Sequence, residues 1–412
     1  MKNKLYLFTN SYPYGNGEAF IENEISFLAD VYDVTIISSD VESEFKREVP
    51  EDVNVMRIPK PAIGRAGVLA GIVRMCFSGA TRKELKDCLS AQRHKLALIK
   101  QSAHMYQSSR LYLRNVTKFC GEFKENTILY FYWNTYKVIS FLMMRKAYSS
   151  CKLISRIHGF DLYNSRNSLN HQPFKYLNSN LDCLFFLSNS AKAYYKQAFD
   201  ASVEEYSKVI GLGVRKIKDQ NPSKWERQKN TIRLCSCSRA VPVKRIDLIV
   251  DALQLVDGFK VEWTHLGDGE LLQEVQEYAA KKLGNKQNIT FHFAGAVSNS
   301  EIHQLYNKNC FDLYILTSES EGVPVSIMEA LSYGIPVIAT DVGGIREMID
   351  GSGNILLNAC PSPQEIAKAI ISIYNINDAN MTLLRNNNTR IWKEKYDSNK
   401  VYPDFIKTIQ NL

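Results

Sequence analysis

Two glutamates eight positions apart stand where a strand should give way to a helix, in Thr317-Ser318-Glu319-Ser320-Glu321-Gly322-Val323-Pro324-Val325-Ser326-Ile327-Met328-Glu329. The strand is expected to end near Leu316, a Glu-Gly turn follows, and Pro324 sits where a first-turn proline belongs. The unpaired N–H groups of such a helix start, together with its dipole, favour an anion. Glu321 stands at the mouth of the turn and Glu329 about two helical turns further on. An acid beside an anion site makes chemical sense when it serves hydroxyls, because carboxylates accept hydrogen bonds from sugar O–H groups. The Glu-x7-Glu spacing therefore suits a ligand with both sugar hydroxyls and phosphates, such as a nucleotide sugar.

Other residues could share that chemistry. Arg239 and Lys244 leave a strand end on one loop, where two cations can neutralise a diphosphate. Taken alone, a solvated basic loop is the better reading of this stretch, and Arg245 either shares the role or points to solvent. His158 closes the strand Ile154-Ser155-Arg156-Ile157 and is followed by Gly159; a lone histidine is more often structural than chemical. The turn Tyr12-Pro13-Tyr14-Gly15-Asn16-Gly17-Glu18 can bring backbone N–H groups close to a ligand, although it is not Gly-x-Gly-x-x-Gly. Gly267-Asp268-Gly269-Glu270 reads as a plain turn or a ligand turn with equal ease.

Both halves of the chain alternate strands and helices, the pattern of α/β proteins with parallel sheets. Strands are expected at 4–9, 34–38, 127–131, 152–157 and 183–188, with helices at 19–29 and after Asn189, the latter capped by Ser188-Asn189-Ser190. Residues 65–125 read as a mostly helical insertion. The polar stretch 215–230 reads as a linker. Further strands are expected at 232–236, 260–266, 289–293, 313–316 and 336–339, and a short amphipathic helix at 402–412. In such sheets ligands bind beyond the carboxyl ends of the strands, which is where Arg239, Lys244, Glu321 and His158 fall.

The 412 residues suffice for two or three domains. A hydrophobic share of 45% with 23% charged residues excludes wholesale disorder. No apolar run reaches membrane-span length, the best, 66–80, being interrupted by Arg74. The run Leu5-Tyr6-Leu7-Phe8 is too short for a signal-peptide core, so the expected location is the cytoplasm. The nine cysteines are scattered without a Cys-x-x-Cys pair, and Cys235 and Cys237 alternate along a strand so that both thiols face one way. Reduced, mostly buried thiols are expected. No His-x-x-x-His spacing occurs, so no metal site is expected. The net charge of +8 is unevenly spread: residues 57–146 hold 17 Lys and Arg against 4 Asp and Glu. Interleaved with apolar residues, these basics suit an anionic membrane surface, at about 1 kcal/mol for each nearby cation. A solvated helical face is the plain alternative; nucleic acid is disfavoured because no helix-turn-helix, zinc finger or aromatic RNA motif accompanies the charge.

Together these segments resemble the retaining glycosyltransferases of family four, which have the GT-B fold. The likeness runs across most of the chain. It is strongest from Ile232 to Ile349, where the Ser238-Arg239 loop with Lys244, Gly267-Asp268-Gly269, the Glu321-x7-Glu329 helix and Asp341-Val342-Gly343-Gly344-Ile345-Arg346-Glu347 occur in the family's order. The first half matches through Tyr12-Pro13 to Glu24, His158-Gly159 and Gly211-Leu212-Gly213-Val214. The family's usual Asn-Gly-Val-Asp is here Leu212-Gly213-Val214-Arg215, so those positions receive no role, and its Lys-Gly is Lys244-Arg245.

The resemblance implies two Rossmann-like parallel-sheet domains facing across a cleft. The acceptor-binding domain is 1–214, with a basic helical block at about 61–125; 215–230 is the linker; 231–395 binds the donor; and 396–412 is a C-terminal helix crossing back to the first domain. It implies that Arg239 and Lys244 bind the diphosphate, Glu321 the donor-sugar hydroxyls and Glu329 the ribose hydroxyls. Backbone N–H groups from Gly322, Val323 and Val325, around Pro324, serve sugar or phosphate. His158 contacts the donor sugar near the reacting carbon, Gly17 approaches the diphosphate, and Ala296 and Val297 meet the nucleobase. The catalytic set is His158, Glu321, Arg239 and Lys244. With no Asp-x-Asp motif, metal independence is expected and the nucleotide sugar is a substrate, not a cofactor.

The expected reaction is transfer of a hexose from a UDP-sugar, or a GDP-sugar, to a glycan acceptor on a lipid-linked intermediate of cell-surface polysaccharide synthesis, at the inner membrane face. Same-face attack is the family's mechanism, and Glu321 as a covalent nucleophile is the alternative. Two other functions fit the residues: a GT-B nucleotide-sugar epimerase, and a nucleotide-sugar-binding subunit without turnover.

Overall fold

The computed structural model describes residues 2–15, 17–163, 169, 171–217, 225–349 and 351–412. The chain forms two compact units, Met1–Ile210 with Tyr402–Leu412, and Gly211–Val401.

The first unit is built on a seven-stranded sheet in the order β3-β2-β1-β4-β5-β6-β7. Its strands are β1 (Lys4–Thr9), β2 (Asp33–Ser38), β3 (Asn54–Arg57), β4 (Ile128–Phe131), β5 (Lys152–Ile157), β6 (Cys183–Phe186) and β7 (Ser207–Val209). Every neighbouring pair is parallel. The central strands are near-continuous apolar runs because helices cover both faces of such a sheet; all four residues of β4 are buried. The helices are α1 (Glu22–Val31), α2 (Arg65–Phe77), α3 (Arg82–Ser90), α4 (Lys95–Cys120), α5 (Tyr136–Leu142), α6 (Gly159–Leu162) and α7 (Asn189–Ala198). The helix expected at 19–29 opens instead as a 3₁₀ turn, Ala19–Ile21, before α1. The cap expected ahead of α7 is present: Ala191 N–H donates to Ser188 Oγ at 3.2 Å.

The second unit has a six-stranded parallel sheet, β10-β9-β8-β11-β12-β13. Its strands are β8 (Thr231–Cys237), β9 (Lys260–Leu266), β10 (Ile289–Phe293), β11 (Leu313–Leu316), β12 (Val337–Thr340) and β13 (Ile355–Leu357). Its helices are α8 (Asp247–Gln254), α9 (Leu272–Leu283), α10 (Asn299–Asn309), α11 (Val325–Ser332), α12 (Ile345–Ile349), α13 (Pro363–Tyr374) and α14 (Asp378–Lys395). The last helix, α15 (Ser398–Gln410), has Pro403 inside it.

Both sheets carry the strand order of a doubly wound fold. The order reverses between β1 and β4 in the first unit and between β8 and β11 in the second, and the crevice at such a switch point is where ligands bind. Tyr402–Leu412 belongs to the first unit, where Tyr402, Phe405, Ile406 and Ile409 are buried. The Phe405 ring lies 5.4 Å from Tyr130 and 4.9 Å from Phe185.

Residues 218–224 of the expected linker lie outside the described residues. Its end is tightly fastened: Trp225 Nε1 donates to Asp312 at 2.7 Å, and the Arg227 guanidinium donates to the carbonyls of Tyr374 and Ile376. Every cysteine is free; five are buried, and Cys76 and Cys360 are exposed. Among the described residues no helix is long and apolar enough to cross a membrane.

Candidate functional site

In the second unit the switch point is framed by the loop after β8 and the loop after β11. The first holds Arg239 and Lys244. Gly267, at φ 136°, and Gly269, at φ 158°, allow the loop after β9 to pack on it: a Cβ on either would lie 2.0 Å from Ser238 O or 2.4 Å from Ala240 O. Ala240 N–H donates to Asp268 O and Leu271 N–H to Ala240 O, both at 2.9 Å. These glycines thus have a packing reason in this turn. Arg239 is exposed, and its guanidinium makes no hydrogen bond or ion pair with any described residue.

Lys244 Nζ donates to Glu321 Oε1 at 2.5 Å. An ammonium has three donors and a carboxylate several acceptor sites, so the pair leaves Lys244 free protons and Glu321 its second oxygen. Arg245 neither joins them nor points to solvent, correcting that expectation. At φ 47° it turns back, and its guanidinium donates to Thr317 O (2.8 Å), Ser318 O (3.0 Å) and Ala359 O (2.7 Å). Arg245 therefore ties the two loops together.

After β11 the chain turns through Glu321-Gly322-Val323 into α11. Pro324 is its N-cap, with ψ 118°, and not its first helical residue; the expectation of a first-turn proline was one position off because the extended Val323-Pro324 approach delays the helix. The first amides of α11, from Val325 onward, have no partner within the helix. The turn before it is clamped by a pair of residues to which sequence reasoning assigned no role. Gly344 N–H donates to Gly322 O at 2.7 Å. At Gly343, φ 59°, a Cβ would lie 2.1 Å from Glu321 O. The signal was present in the Gly343-Gly344 pair, but only contact geometry gives it a purpose.

Glu329 is buried on α11 and accepts from Asn299 Nδ2 at 2.7 Å. Burial pushes its carboxyl up to about 7, opposed by that hydrogen bond. Asn299, the first residue of α10, was not foreseen; its neighbour Ser298 caps the helix. Ala296 is exposed and Val297 half-buried in the loop after β10, which pairs with the β9 turn through Gly267 N–H to Gly295 O at 3.0 Å.

In the first unit the turn after β1 is organised by a residue the sequence left unremarked. Glu18 accepts from the N–H groups of Asn10 (3.0 Å), Ser11 (2.5 Å) and Tyr12 (2.6 Å), from Ser11 Oγ (3.1 Å) and from the Trp133 indole. Five donors on one buried carboxylate fix the shape of the turn. Gly17 is exposed, and a Cβ there would lie 2.8 Å from Ser11 Oγ. Lys137, fully buried, donates to Thr9 O and Asn10 Oδ1, and burial brings its amine down to about 7.

His158 follows β5, its ring packed against Trp133 (4.4 Å between centroids), Tyr132 (5.1 Å) and Phe20 (6.1 Å). Burial, with Arg156 nearby, brings its pKa down to about 3, against the effect of a hydrogen bond with the Tyr132 backbone. The imidazole is therefore neutral near pH 7, and its Nε2 has no partner among the described residues. Asp161 accepts from the backbone N–H groups of His158 and Asn134, while Lys175 donates to Asn134 Oδ1 at 2.6 Å. This buried network fixes the strand end that carries His158.

Residues 217–390 match the family described as Glycosyl transferases group 1. The second unit is a group 1 glycosyltransferase domain. It contains Arg239, Lys244, Ala296, Val297, Glu321 and Glu329. An uncharacterised glycosyltransferase of Methanocaldococcus jannaschii is 28% identical over 235 residues, 57% of this chain and 61% of that protein. The O-antigen biosynthesis glycosyltransferase WbnH of Escherichia coli is 39% identical over 93 residues, 23% of this chain and 24% of its own. The chain thus spans less than two thirds of the length of either relative. The crystal structure of HepE from Anabaena in complex with UDP superposes with a TM-score of 0.66 at 17% identity, over 100% of both chains. The fold is of the GT-B type, two Rossmann-like parallel-sheet domains in one chain, as the resemblance implies.

Proposed function

We propose that the protein is a retaining glycosyltransferase. It moves a hexose or hexose derivative from a nucleotide sugar, UDP-linked in preference to GDP-linked, to a hydroxyl of a lipid-linked glycan in cell-surface polysaccharide synthesis. The observation that carries this reading is the gathering of unpaired Arg239, the Lys244–Glu321 pair, the start of α11 and buried Glu329 at one switch point of a group 1 domain. HepE, of the same fold, was crystallised with UDP, and WbnH is named for O-antigen synthesis; both support the choice of donor and pathway class.

In this reading Arg239 and Lys244 neutralise the diphosphate. Glu329 and Asn299 take the ribose hydroxyls, and the free oxygen of Glu321 takes donor-sugar hydroxyls. The loop at Ala296 and Val297 meets the base. Breaking the anomeric C–O bond builds charge on the leaving diphosphate, which preorganised cations and the amides from Gly322 to Val325 stabilise. The acceptor oxygen attacks from the same face, a new C–O bond forms, and the acceptor proton passes to the leaving phosphate. No step calls on a metal. His158 offers a neutral Nε2 to a sugar hydroxyl, and Gly17 offers an exposed backbone to a phosphate.

The acceptor's lipid sets a membrane requirement that α2 suits. Leu69, Val73 and Phe77 lie at i, i+4 and i+8 on one stripe, with exposures of 63%, 51% and 88%, alongside Arg65 and Arg74. An exposed apolar stripe flanked by cations fits an anionic interface. Flotation with phosphatidylglycerol vesicles is expected for the wild type and lost in Phe77→Asp; flotation indifferent to anionic lipid contradicts it.

Donor recognition is tested by thermal shifts with UDP-, GDP- and ADP-sugars. A UDP-sugar should raise the midpoint of the wild type and less so that of Glu321→Ala. No shift with any nucleotide sugar would overturn the donor assignment.

A further inference from the structure

Within the helical block of the first unit lies a cluster that the transfer reaction does not use. Glu84 and Cys88 stand one turn apart on α3, and His171 reaches them from the segment after α6. His171 Nε2 lies 2.8 Å from Glu84 Oε1. Cys88 Sγ is 3.8 Å from that oxygen and 3.5 Å from Ser102 Oγ on α4, and Ser102 Oγ is 3.4 Å from His171 Nε2. The ligand atoms of Glu84, Cys88 and His171 all fall within 4.8 Å of one another, the one such group among the described residues. We propose that they form a zinc site, with the Cys88 thiolate, the His171 imidazole and the Glu84 carboxylate as ligands and a water in the fourth position.

The chemistry of the donor set fits. Zinc takes thiolate at about 2.3 Å and imidazole or carboxylate at about 2.0–2.2 Å in tetrahedral geometry. Ligand atoms around it are then roughly 3.3–3.7 Å apart, so the observed spacings require only small side-chain movements. One thiolate and one carboxylate balance the dication, which matters because Glu84 and Cys88 are each only 1% exposed. Loading releases the Cys88 thiol proton, together with any proton held on His171 Nε2, to solvent, with no change of oxidation state. The outer shell is already built: Phe174 N–H donates to Glu84 Oε2 at 2.9 Å and Ser102 Oγ–H to Oε1, and such partners orient a ligand carboxylate. The His171 side chain, 22% exposed, leaves a path for the ion. A metal here would fasten α3 to the segment that carries Phe174 and Lys175, and through Lys175 to the network beneath His158. Linear spacing hid it, because the third ligand comes from beyond two strands.

The test is titration of chelator-treated protein with Co(II) and then Zn(II). The wild type should bind one equivalent of cobalt, with a thiolate-to-cobalt charge-transfer band and four-coordinate d–d absorption, and zinc should abolish both. Cys88→Ser should lose the charge-transfer band, whereas Cys360→Ser, altering an exposed thiol, keeps it. His171→Ala, at the accessible edge, should weaken zinc binding at least tenfold with an unchanged circular dichroism spectrum, so the site is tested even if Cys88→Ser fails to fold. Zinc should raise the thermal midpoint of the wild type and not of His171→Ala. No band at one equivalent, a band that survives Cys88→Ser, or equal zinc affinity in His171→Ala would overturn the proposal.

Discussion

The short Lys244–Glu321 contact makes each residue the other's counter-ion, so removing one changes both. Lys244→Ala leaves a buried carboxylate without its cation, and both nucleotide-sugar affinity and folding stability should fall. Lys244→Arg should restore stability more than turnover, because a planar guanidinium is not a point charge. Glu329 adds a pH signature. Its carboxyl, pushed up to about 7 by burial, lies above the unfolded value of about 4.3. Its contribution to stability is therefore full below the unfolded pKa and is lost as pH rises through the folded one. In the proposed role, ribose hydroxyls would donate to the ionised form and so draw that pKa down. UDP-glucose should accordingly bind more tightly as pH rises from roughly 6 towards about 7, by at most tenfold per unit, and then level off. Calorimetry on wild type and Glu329→Gln checks this: the variant should be flat, and an equal slope in both would contradict the assignment.

Elements are where legibility differed most. Lys4–Thr9, Lys152–Ile157, Lys260–Leu266, Ile289–Phe293 and Leu313–Leu316 were readable to the residue, because strands in a parallel sheet form apolar or alternating runs with sharp ends. Asn54–Arg57, Ser207–Val209 and Ile355–Leu357 were not read, since each is a strand of only three or four residues at a sheet edge, too short to show a period. The candidate site followed the same logic. Glu321, Glu329, Arg239 and Lys244 were legible as residue types at strand and helix ends, whereas Glu18, Asn299 and Gly343 act through contacts that join distant loops. Gly343→Ala measures that positioning. With φ 59° and a Cβ 2.1 Å from Glu321 O, it should cost at least about 1–3 kcal/mol and weaken UDP-glucose binding. Gly79→Ala, where a Cβ would meet nothing within 4 Å, should be close to neutral. Equal melting and binding for the two variants would remove the clamp.

At the scale of the whole molecule, the C-terminal segment completes the first unit. Phe405 packs under Arg156, whose guanidinium lies 4.5 Å from its ring centroid and pairs with Glu24 at 2.6 Å. Phe405→Ala should cost about 3–5 kcal/mol, read as a lower urea midpoint, while Phe77→Ala, at 88% exposed, should change it by less than about 0.5 kcal/mol. Charge is equally uneven along the chain: the basic stretch 57–146 belongs to the first unit, and Arg239, Lys244, Glu321 and Glu329 belong to the second. The most direct test is release of UDP from UDP-sugars by purified protein with a lipid-linked glycan extract as acceptor, comparing wild type with Glu321→Gln and Arg239→Ala. Acceptor-stimulated release is expected from the wild type, falling by roughly 10²–10³-fold in each variant while both remain folded. Release that is undiminished in both would contradict the assignment of this site.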